Sequence, residues 1–274
     1  MDKKTDSTSS KHIAGIIPVA KVQTDIDLVV PTALLPIGNG FYNIQRAIVE
    51  CCYAGCDTVW VVCEESEAAI LKRVCGDFVL NMHDYERSKY SKFPSDNRRV
   101  VPIFYAPLSF KHQNKIGLGV SVMDGIHASF HVSSKISKWS MPHKYYVSSP
   151  YGVYSPEVNR LRTEIVSDGS FFLSHDGKTA IDGENLGFCL SVDHVKHCSY
   201  LFKKTNVKTQ FSLDIILNND KVKKNLKVSK IDMYHNIQNW EGYQGMWQEP
   251  LVIYPKYKFC FSGAYNKQER KLDV

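Results

Sequence analysis

Two carboxylates separated by one residue follow a lysine near the start of the chain. Asp25 and Asp27 form an Asp-x-Asp pair, and Lys21 precedes them. Carboxylate oxygens hold Mg²⁺, and a lysine ammonium neutralises phosphate charge. The three side chains could therefore bind a metal and a phosphorylated ligand. The alternative, favoured for the two aspartates, is a solvated loop in which aspartate caps a turn.

Cysteine and histidine could form a second kind of site. Asp193, His194, His197 and Cys198 lie close together in the sequence, but no fourth metal ligand is evident, so surface or core histidines are favoured. Five further cysteines cluster without any Cys-x-x-Cys pair, and core packing is favoured over a zinc site for them: Cys51, Cys52, Cys56, Cys63 and Cys75. No Gly-x-Ser-x-Gly elbow, Walker A or His-Glu-x-x-His motif is present.

Aromatic residues are dense near the end of the chain. The stretch 240–247 (WEGYQGMW) holds three aromatics and two glycines. It could line a pocket for a ligand or a partner, although a cap over the core is the commoner arrangement. The segment 254–257 continues the aromatic composition and could form an edge strand or an assembly surface.

Composition excludes several classes of protein. The 274 residues are 43% hydrophobic and 12% aromatic, as expected for a packed globular chain. The net charge of +6 is only mildly basic, and the lysines of 203–230 suggest a solvated face or an acidic partner more than nucleic acid. No apolar run is long enough to span a membrane. A polar tail over 1–11 without a signal peptide, and reduced cysteines, indicate a cytoplasmic protein.

Alternating strand and helix patterns predict an α/β fold with a mostly parallel sheet flanked by helices. We expect one domain over 12–274. Asp124, within a predicted helix, is expected on the surface. The predicted strands are 12–20, 57–63, 100–105, 144–149, 184–192 and 228–234, and the predicted helices are 41–54, 65–74, 117–130 and 207–218.

The order of short motifs resembles the sugar-1-phosphate nucleotidyltransferases, also called sugar-nucleotide pyrophosphorylases. After the first strand, 31–38 (PTALLPIG) resembles the family's Pro-Lys and Leu-Leu-Pro-Ile-Gly segment, and 54–62 (AGCDTVWVV) resembles its second strand entry. Four later segments continue the order: 117–122 (GLGVSV), 146–154 (YVSSPYGVY), 185–190 (NLGFCL) and 234–243 (YHNIQNWEGY). The resemblance covers roughly residues 12–245.

The resemblance implies a Rossmann-like fold of the type shared with GT-A glycosyltransferases. It also implies an enzyme that joins a nucleoside triphosphate to a sugar 1-phosphate with Mg²⁺. Carried over position by position, it predicts a nucleotide–sugar cleft at Pro18, Val19, Ala20, Val22, Thr32, Gly117, Leu118, Tyr151, Asn185, Gly187 and Asn236.

The chain departs from the family where the chemistry is done. Pro18 and Ala20 replace glycines of the phosphate loop, Val22 replaces its arginine, and Thr32 replaces the following lysine. At the positions of the family's two metal-binding aspartates, this chain has the neutral residues Tyr151 and Asn236. We therefore expect a pseudoenzyme that keeps the fold and could still bind a nucleotide or nucleotide sugar.

Two alternatives stay open at this point. One is an active, divergent nucleotidyl- or glycosyltransferase that uses Lys21, Asp25 and Asp27, in which case Mg²⁺ would be its cofactor. The other is a structural or assembly protein on the same scaffold, with a protein partner or a second copy of the chain bound to it. No other cofactor is expected.

Overall fold

A computed structural model describes residues 11–86, 99–113, 115, 117–137, 141–157, 162–204, 211–218, 226–248, 257 and 260–262. Its main feature is an eight-stranded sheet with the order β11-β9-β10-β7-β1-β4-β6-β5. The strands of this sheet are β1 (Ile13–Pro18), β4 (Thr58–Cys63), β5 (Phe78–Leu80), β6 (Val100–Pro107), β7 (Lys144–Val147), β9 (Phe171–Ser174), β10 (Phe188–Ser191) and β11 (Lys227–Lys230).

Two small ribbons, eight α-helices and three short 3-10 helices complete the described elements. The ribbons pair β2 (Pro36–Gly38) with β3 (Phe41–Tyr42), and β8 (Gly152–Val153) with β12 (His235–Asn236). The helices are α1 (Asn43–Tyr53), α2 (Glu65–Cys75), α3 (Met82–Glu86), α4 (Leu118–Ile136), α5 (Arg162–Val166), α6 (Val192–Lys204), α7 (Leu213–Leu217) and α8 (Trp240–Gln248).

The centre of the sheet is parallel and its flanks are mixed. Strand β1 pairs in parallel with both β4 and β7, and β4 pairs in parallel with β6. Antiparallel pairs join β5 to β6, β10 to β7 and β9 to β10, whereas β11 is parallel to β9. The predicted fold class, a mixed and mostly parallel sheet flanked by helices, is confirmed.

Alternation along the central strands divides the core between the two faces. In β1, Ile13 and Ile17 pack with α1, α2 and α8, whereas Ala14 and Ile16 pack with α4, α6 and α7. Successive side chains of a strand point to opposite faces, so a strand covered on both faces must be apolar throughout. This explains the unbroken run TVWVVC in β4.

Most predicted elements are present, with shifted ends. Helix α4 runs six residues past the predicted end at 130, to Ile136. The strand predicted over 184–192 is shorter, Phe188–Ser191, and α6 begins directly after it at Val192. The helix predicted over 207–218 is found as α7, and residues 207–210 lie outside the described residues. The polar tail, apart from residue 11, and most of 254–257 also lie outside them.

All eight cysteines are buried thiols outside any disulfide, which confirms core packing for the cluster of five. Burial raises the pKa of Cys75 and Cys189, the latter to about 12, so these thiols stay protonated at neutral pH. Gly15 of β1 shows how tightly this layer packs, because a Cβ there would lie 2.9 Å from Cys51 Sγ.

A buried ion pair joins α1 to the sheet. Arg46 and Glu50 are both fully buried, and Arg46 Nη1 donates to Glu50 Oε2 at 2.7 Å. The other Glu50 oxygen, Oε1, accepts hydrogen bonds of 2.6 Å from the hydroxyls of Tyr146 and Tyr154. Ser148 donates to Oε2 at 2.5 Å. The carboxylate therefore has four donors, as a charge removed from water requires.

The pKa shifts of this group agree with the geometry. Burial alone would lower the pKa of Arg46, but Glu50 and Tyr154 outweigh burial and raise it. Burial and the Glu50 charge both raise the pKa of the Tyr146 and Tyr154 phenols well above their usual range. The two tyrosines consequently remain hydrogen-bond donors.

We predict that Glu50→Gln destabilises the protein by about 3–5 kcal/mol, because it leaves the buried Arg46 charge without its counter-ion. Glu65→Gln, at an exposed position in the first turn of α2, is the matched control and should change stability by less than about 1 kcal/mol. Urea unfolding followed by circular dichroism measures both. Equal midpoints for the two variants would contradict the assignment.

Candidate functional site

A cavity of about 570 Å³ lies beyond the carboxyl ends of the parallel strands. Ligands of open α/β sheets commonly bind at this edge, where loops diverge from the strand ends. Its lining comes from the loop after β1, the start of α4, the β9–β10 connection, the start of α7 and the segment after β12: Lys21, Val22, Gln23, Gly117, Leu118, Ala180, Ile181, Asp182, Gly183, Glu184, Asn185, Ser212, Leu213, Asp214 and Gln238.

Five predicted cleft or catalytic residues lie on this cavity: Lys21, Val22, Gly117, Leu118 and Asn185. Their elements are far apart in sequence, so only the fold brings them together. The remaining predicted cleft positions do not line the cavity: Pro18, Val19, Ala20, Thr32, Tyr151, Gly187 and Asn236.

The first two residues of the loop after β1 have their backbone donors occupied. Val19 N and Ala20 N both donate to the carbonyl of Val62, at 2.8 and 3.0 Å, and Pro18 has no N–H to offer. A phosphate cradle needs several free backbone N–H groups that converge on the anion. Val19 and Ala20 donate to the sheet instead, so none of these three residues offers a free N–H to a phosphate in the described conformation.

Lys21 is the one cationic side chain on the described lining, and it is paired. Its Nζ lies 3.1 Å from Glu64 Oε1. The backbone of Lys21 is left-handed, with φ of 60°, an uncommon conformation for a residue with a side chain. Three carboxylates share the lining with it: Asp182, Glu184 and Asp214. The described lining is therefore acidic.

The positions of the family's lysine and first metal aspartate contact each other as neutral groups. Thr32 Oγ1 donates to the Tyr151 hydroxyl at 3.3 Å. Tyr151 is 2% exposed, and burial raises its pKa to about 12, while the Thr32 hydrogen bond acts in the opposite direction. The pair fills this part of the cleft without formal charge.

The two family metal positions are adjacent in space. Tyr151 immediately precedes β8, Asn236 lies in β12, and Ile237 N donates to Tyr151 O at 2.9 Å alongside the β8–β12 pairing. Asn236 Oδ1 accepts from Asn185 Nδ2 at 3.2 Å, and Asn185 Oδ1 accepts from Ser149 Oγ at 2.9 Å. A chain of amides and a hydroxyl therefore stands where the family resemblance places carboxylates.

These residues do not fit a Mg²⁺ ion. Magnesium is held through carboxylates together with phosphate and water oxygens, and neither Tyr151 nor Asn236 supplies a carboxylate. Among the residues that the structure describes, no group of three or more His, Cys, Asp or Glu side chains is placed to hold a metal.

The start of α4 packs against the chain itself. Gly117 has φ of 116°, and a Cβ there would lie 2.6 Å from the carbonyl oxygen of Phe211. The glycine is needed because the backbone before α7 crosses the helix end at this point. Gly187 is buried, and its N–H donates to the Tyr154 hydroxyl at 3.0 Å. Both predicted cleft glycines thus have a packing role.

Asp25 and Asp27 are exposed and flank the buried Ile26. Neither lines the cavity, and Asp25 is tied to the site only through its backbone N–H, which donates to Gln238 O at 2.8 Å. The geometry matches a solvated loop.

Two members of the predicted Asp193, His194, His197 and Cys198 group are buried, whereas Asp193 is exposed and His197 is half-buried. His194 Nδ1 lies 3.0 Å from the hydroxyls of both Ser170 and Ser191. Cys198 is buried against Ile216.

The expectation that Asp124 lies on the surface is wrong. Asp124 is 7% exposed, with His112 Nδ1 at 2.5 Å and Ser109 N at 3.1 Å, because the loop after β6 folds over that turn of α4.

Sequence reasoning missed two sets of residues. The carboxylates Asp182 and Asp214 lie in segments that carry no motif, so nothing in the sequence marked them. Arg46 and Glu50 did leave a signal, since they are charged residues at i and i+4 in a helix whose neighbours are apolar.

The chain resembles known proteins in structure and not in sequence. Neither family models nor curated proteins gave a match by sequence. A glucose-1-phosphate thymidylyltransferase from Bacillus anthracis, in complex with sucrose, has a TM-score of 0.58 at 10% identity, over 90% of this chain and 98% of its own. A UDP-glucose pyrophosphorylase from Acinetobacter baumannii has 0.54 at 11%, over 96% and 99%. A UDP-glucose pyrophosphorylase complexed with UDP-glucose has 0.56 at 13%, over 86% and 97%.

This chain has a sugar-nucleotidyltransferase-like fold. At identities this low, the structural matches show the fold alone, and they confirm the resemblance at that level. No helix within the described ranges is both long and apolar enough to cross a membrane.

We predict that Tyr151→Asp is destabilised by about 3 kcal/mol or more, because it buries an unpaired charge. Tyr151→Phe, which removes only the hydrogen bond with Thr32, should lose about 0.5–1.5 kcal/mol. Urea unfolding with and without Mg²⁺ compares them. If Tyr151→Asp matched the phenylalanine variant and Mg²⁺ raised its midpoint, the position would accept a metal ligand after all.

Proposed function

We propose that this protein is a pseudoenzyme on the sugar-nucleotidyltransferase scaffold, which binds a nucleotide or nucleotide sugar in the cavity without transferring a nucleotidyl group. The observation that carries the proposal is the neutral Thr32–Tyr151 pair beside Asn236. The family resemblance places a cation and two metal-binding carboxylates at these positions.

Loss of charge at all three positions removes the groups that the reaction needs. Nucleotidyl transfer requires metal and cationic side chains to stabilise charge that develops on phosphate oxygens. Removal of one such stabilising group commonly slows an enzyme by about 10²–10³-fold. Three replacements together, with Val19 and Ala20 N–H groups bonded to Val62, leave no charged group at these three positions and no free N–H on Val19 or Ala20.

Ligand binding is supported by the cavity and by the structural neighbours. The cavity falls within the range of about 300–1,000 Å³ that small-molecule sites occupy. Gln23 and Gln238 contribute to its lining, and their amide groups suit a nucleobase edge or sugar hydroxyls. One neighbour is complexed with UDP-glucose, and another is UTP-bound.

The acidic lining also predicts which ligand binds better. Asp182, Glu184 and Asp214 repel phosphate, and Lys21 is already paired with Glu64. We therefore expect nucleotide sugars, with two phosphates, to bind more tightly than nucleoside triphosphates.

Two experiments test the proposal. Incubation with the nucleoside triphosphates, sugar 1-phosphates and Mg²⁺ should release no pyrophosphate above a control without protein. Thermal shift with nucleotide sugars should show a metal-independent rise in melting temperature, since a ligand at about 100 times its Kd adds roughly 2.7 kcal/mol of stability.

The other outcomes identify the alternatives. Pyrophosphate release would overturn the proposal. Stabilisation that requires Mg²⁺ or Mn²⁺ would favour a divergent transferase, and the variant Asp25→Asn/Asp27→Asn should then lose it. An absence of any shift across the nucleotide panel would leave the scaffold for a structural or assembly role and contradict ligand binding.

A further inference from the structure

Helix α8 carries three aromatic side chains on one face, and the cavity does not use them. Trp240, Tyr243 and Trp247 occupy positions i, i+3 and i+7, which lie along one side of a helix. Trp240 is 45% exposed and Trp247 is 52% exposed. We call these three residues the aromatic triad.

In the triad, the Tyr243 ring makes a steep angle with each of the two tryptophan rings. The centroids of Trp240 and Tyr243 are 5.9 Å apart with an interplanar angle of 68°. Those of Tyr243 and Trp247 are 6.3 Å apart at 88°. Tyr243 is half-buried between the more exposed tryptophans, so the triad has one ring as its base and a ring on each side.

The base of the triad is fixed from below. The Tyr243 hydroxyl donates to Pro36 O at 2.8 Å, and Met246 is buried in the core cluster beneath the helix. At the start of the helix, Asn239 Oδ1 accepts from Gly242 N at 2.8 Å. A ligand at the triad would therefore meet rings on a held backbone, with little ordering of the helix left to do.

The charge around the triad selects the kind of ligand. Residues 231–248 contain no lysine or arginine, whereas Glu241 follows Trp240 directly and is exposed. The charge of this segment therefore disfavours phosphate and nucleic acid and favours a cation. Aromatic faces bind cations through their quadrupole, best when tryptophan is present and the cation has an apolar, weakly hydrated shell.

We propose that the aromatic triad is an open aromatic cage for an N-methylated ammonium group, with choline as the probe ligand. The cation would lie over Tyr243 between the two tryptophan rings, and Glu241 would supply long-range attraction. This site is separate from the cavity and does not depend on the proposed function.

Isothermal titration calorimetry with choline tests the proposal. Choline should bind, and its uncharged carbon isostere, dimethylbutanol, should bind at least about tenfold more weakly, because only the cation gains the quadrupole interaction. Trp240→Ala and Trp247→Ala should each weaken choline binding roughly three- to thirty-fold. Trp240→Phe, which keeps an aromatic face, should recover part of the loss.

Matched controls come from the same helix and from elsewhere on the surface. Gly245→Ala adds a methyl group where nothing lies within 4 Å, and it should leave binding unchanged. Phe110→Ala removes a different aromatic that is 85% exposed, and it should also have no effect. Urea midpoints near that of the parent protein show that the tryptophan variants remain folded.

A second arm distinguishes free choline from a lipid headgroup. Cosedimentation with phosphatidylcholine vesicles that Trp247→Ala abolishes would assign the ligand to the membrane surface, and binding of free choline alone would assign a small molecule. Equal affinity for choline and dimethylbutanol, or no binding of choline, would overturn the cage. A change in oligomeric state in the tryptophan variants, without choline binding, would overturn it in favour of self-association.

Discussion

The buried ion pair between Arg46 and Glu50 determines how the layers of this protein fit together. Glu50 lies on α1 with Arg46, but its other three donors come from β7 and the segment that follows it: Tyr146, Ser148 and Tyr154. Arg46 Nη2 also donates to Ser149 O at 2.6 Å. A carboxylate without water needs all its donors, so α1 has one position against the sheet in which the charge is compensated.

The same network extends to the candidate site. The Tyr154 hydroxyl accepts a hydrogen bond from Gly187 N, and Ser149 Oγ donates to Asn185 Oδ1. These bonds fix the segment between the cavity and β10. The cleft positions above it are satisfied by one another: Thr32 with Tyr151, Asn185 with Asn236. In a typical phosphate site, the ligand would complete such bonds. Here the chain completes them itself.

The carboxyl edge therefore separates two properties that nucleotidyltransferases combine. Shape persists, because the parallel strands diverge and leave a cavity. The cavity lacks the net positive charge that binds phosphate, because its described lining has three carboxylates and a lysine that is already paired. Helix α8 starts two residues after the cavity-lining Gln238 and turns its aromatic triad to solvent. The two surfaces differ in chemistry, since one offers amides and carboxylates and the other offers aromatic faces.

The sequence by itself determined the α/β class and the order of the central elements. Strand and helix periodicity and motif order are local properties, so they can be recognised before the fold is known. Tertiary structure decided which groups meet. Asp124 was expected on a surface and lies beneath a loop, Asp25 and Asp27 lie away from the cavity, and Glu50 gathers donors up to 104 residues distant. Burial, pairing and pKa depend on neighbours from other elements, and spacing along one element cannot specify them.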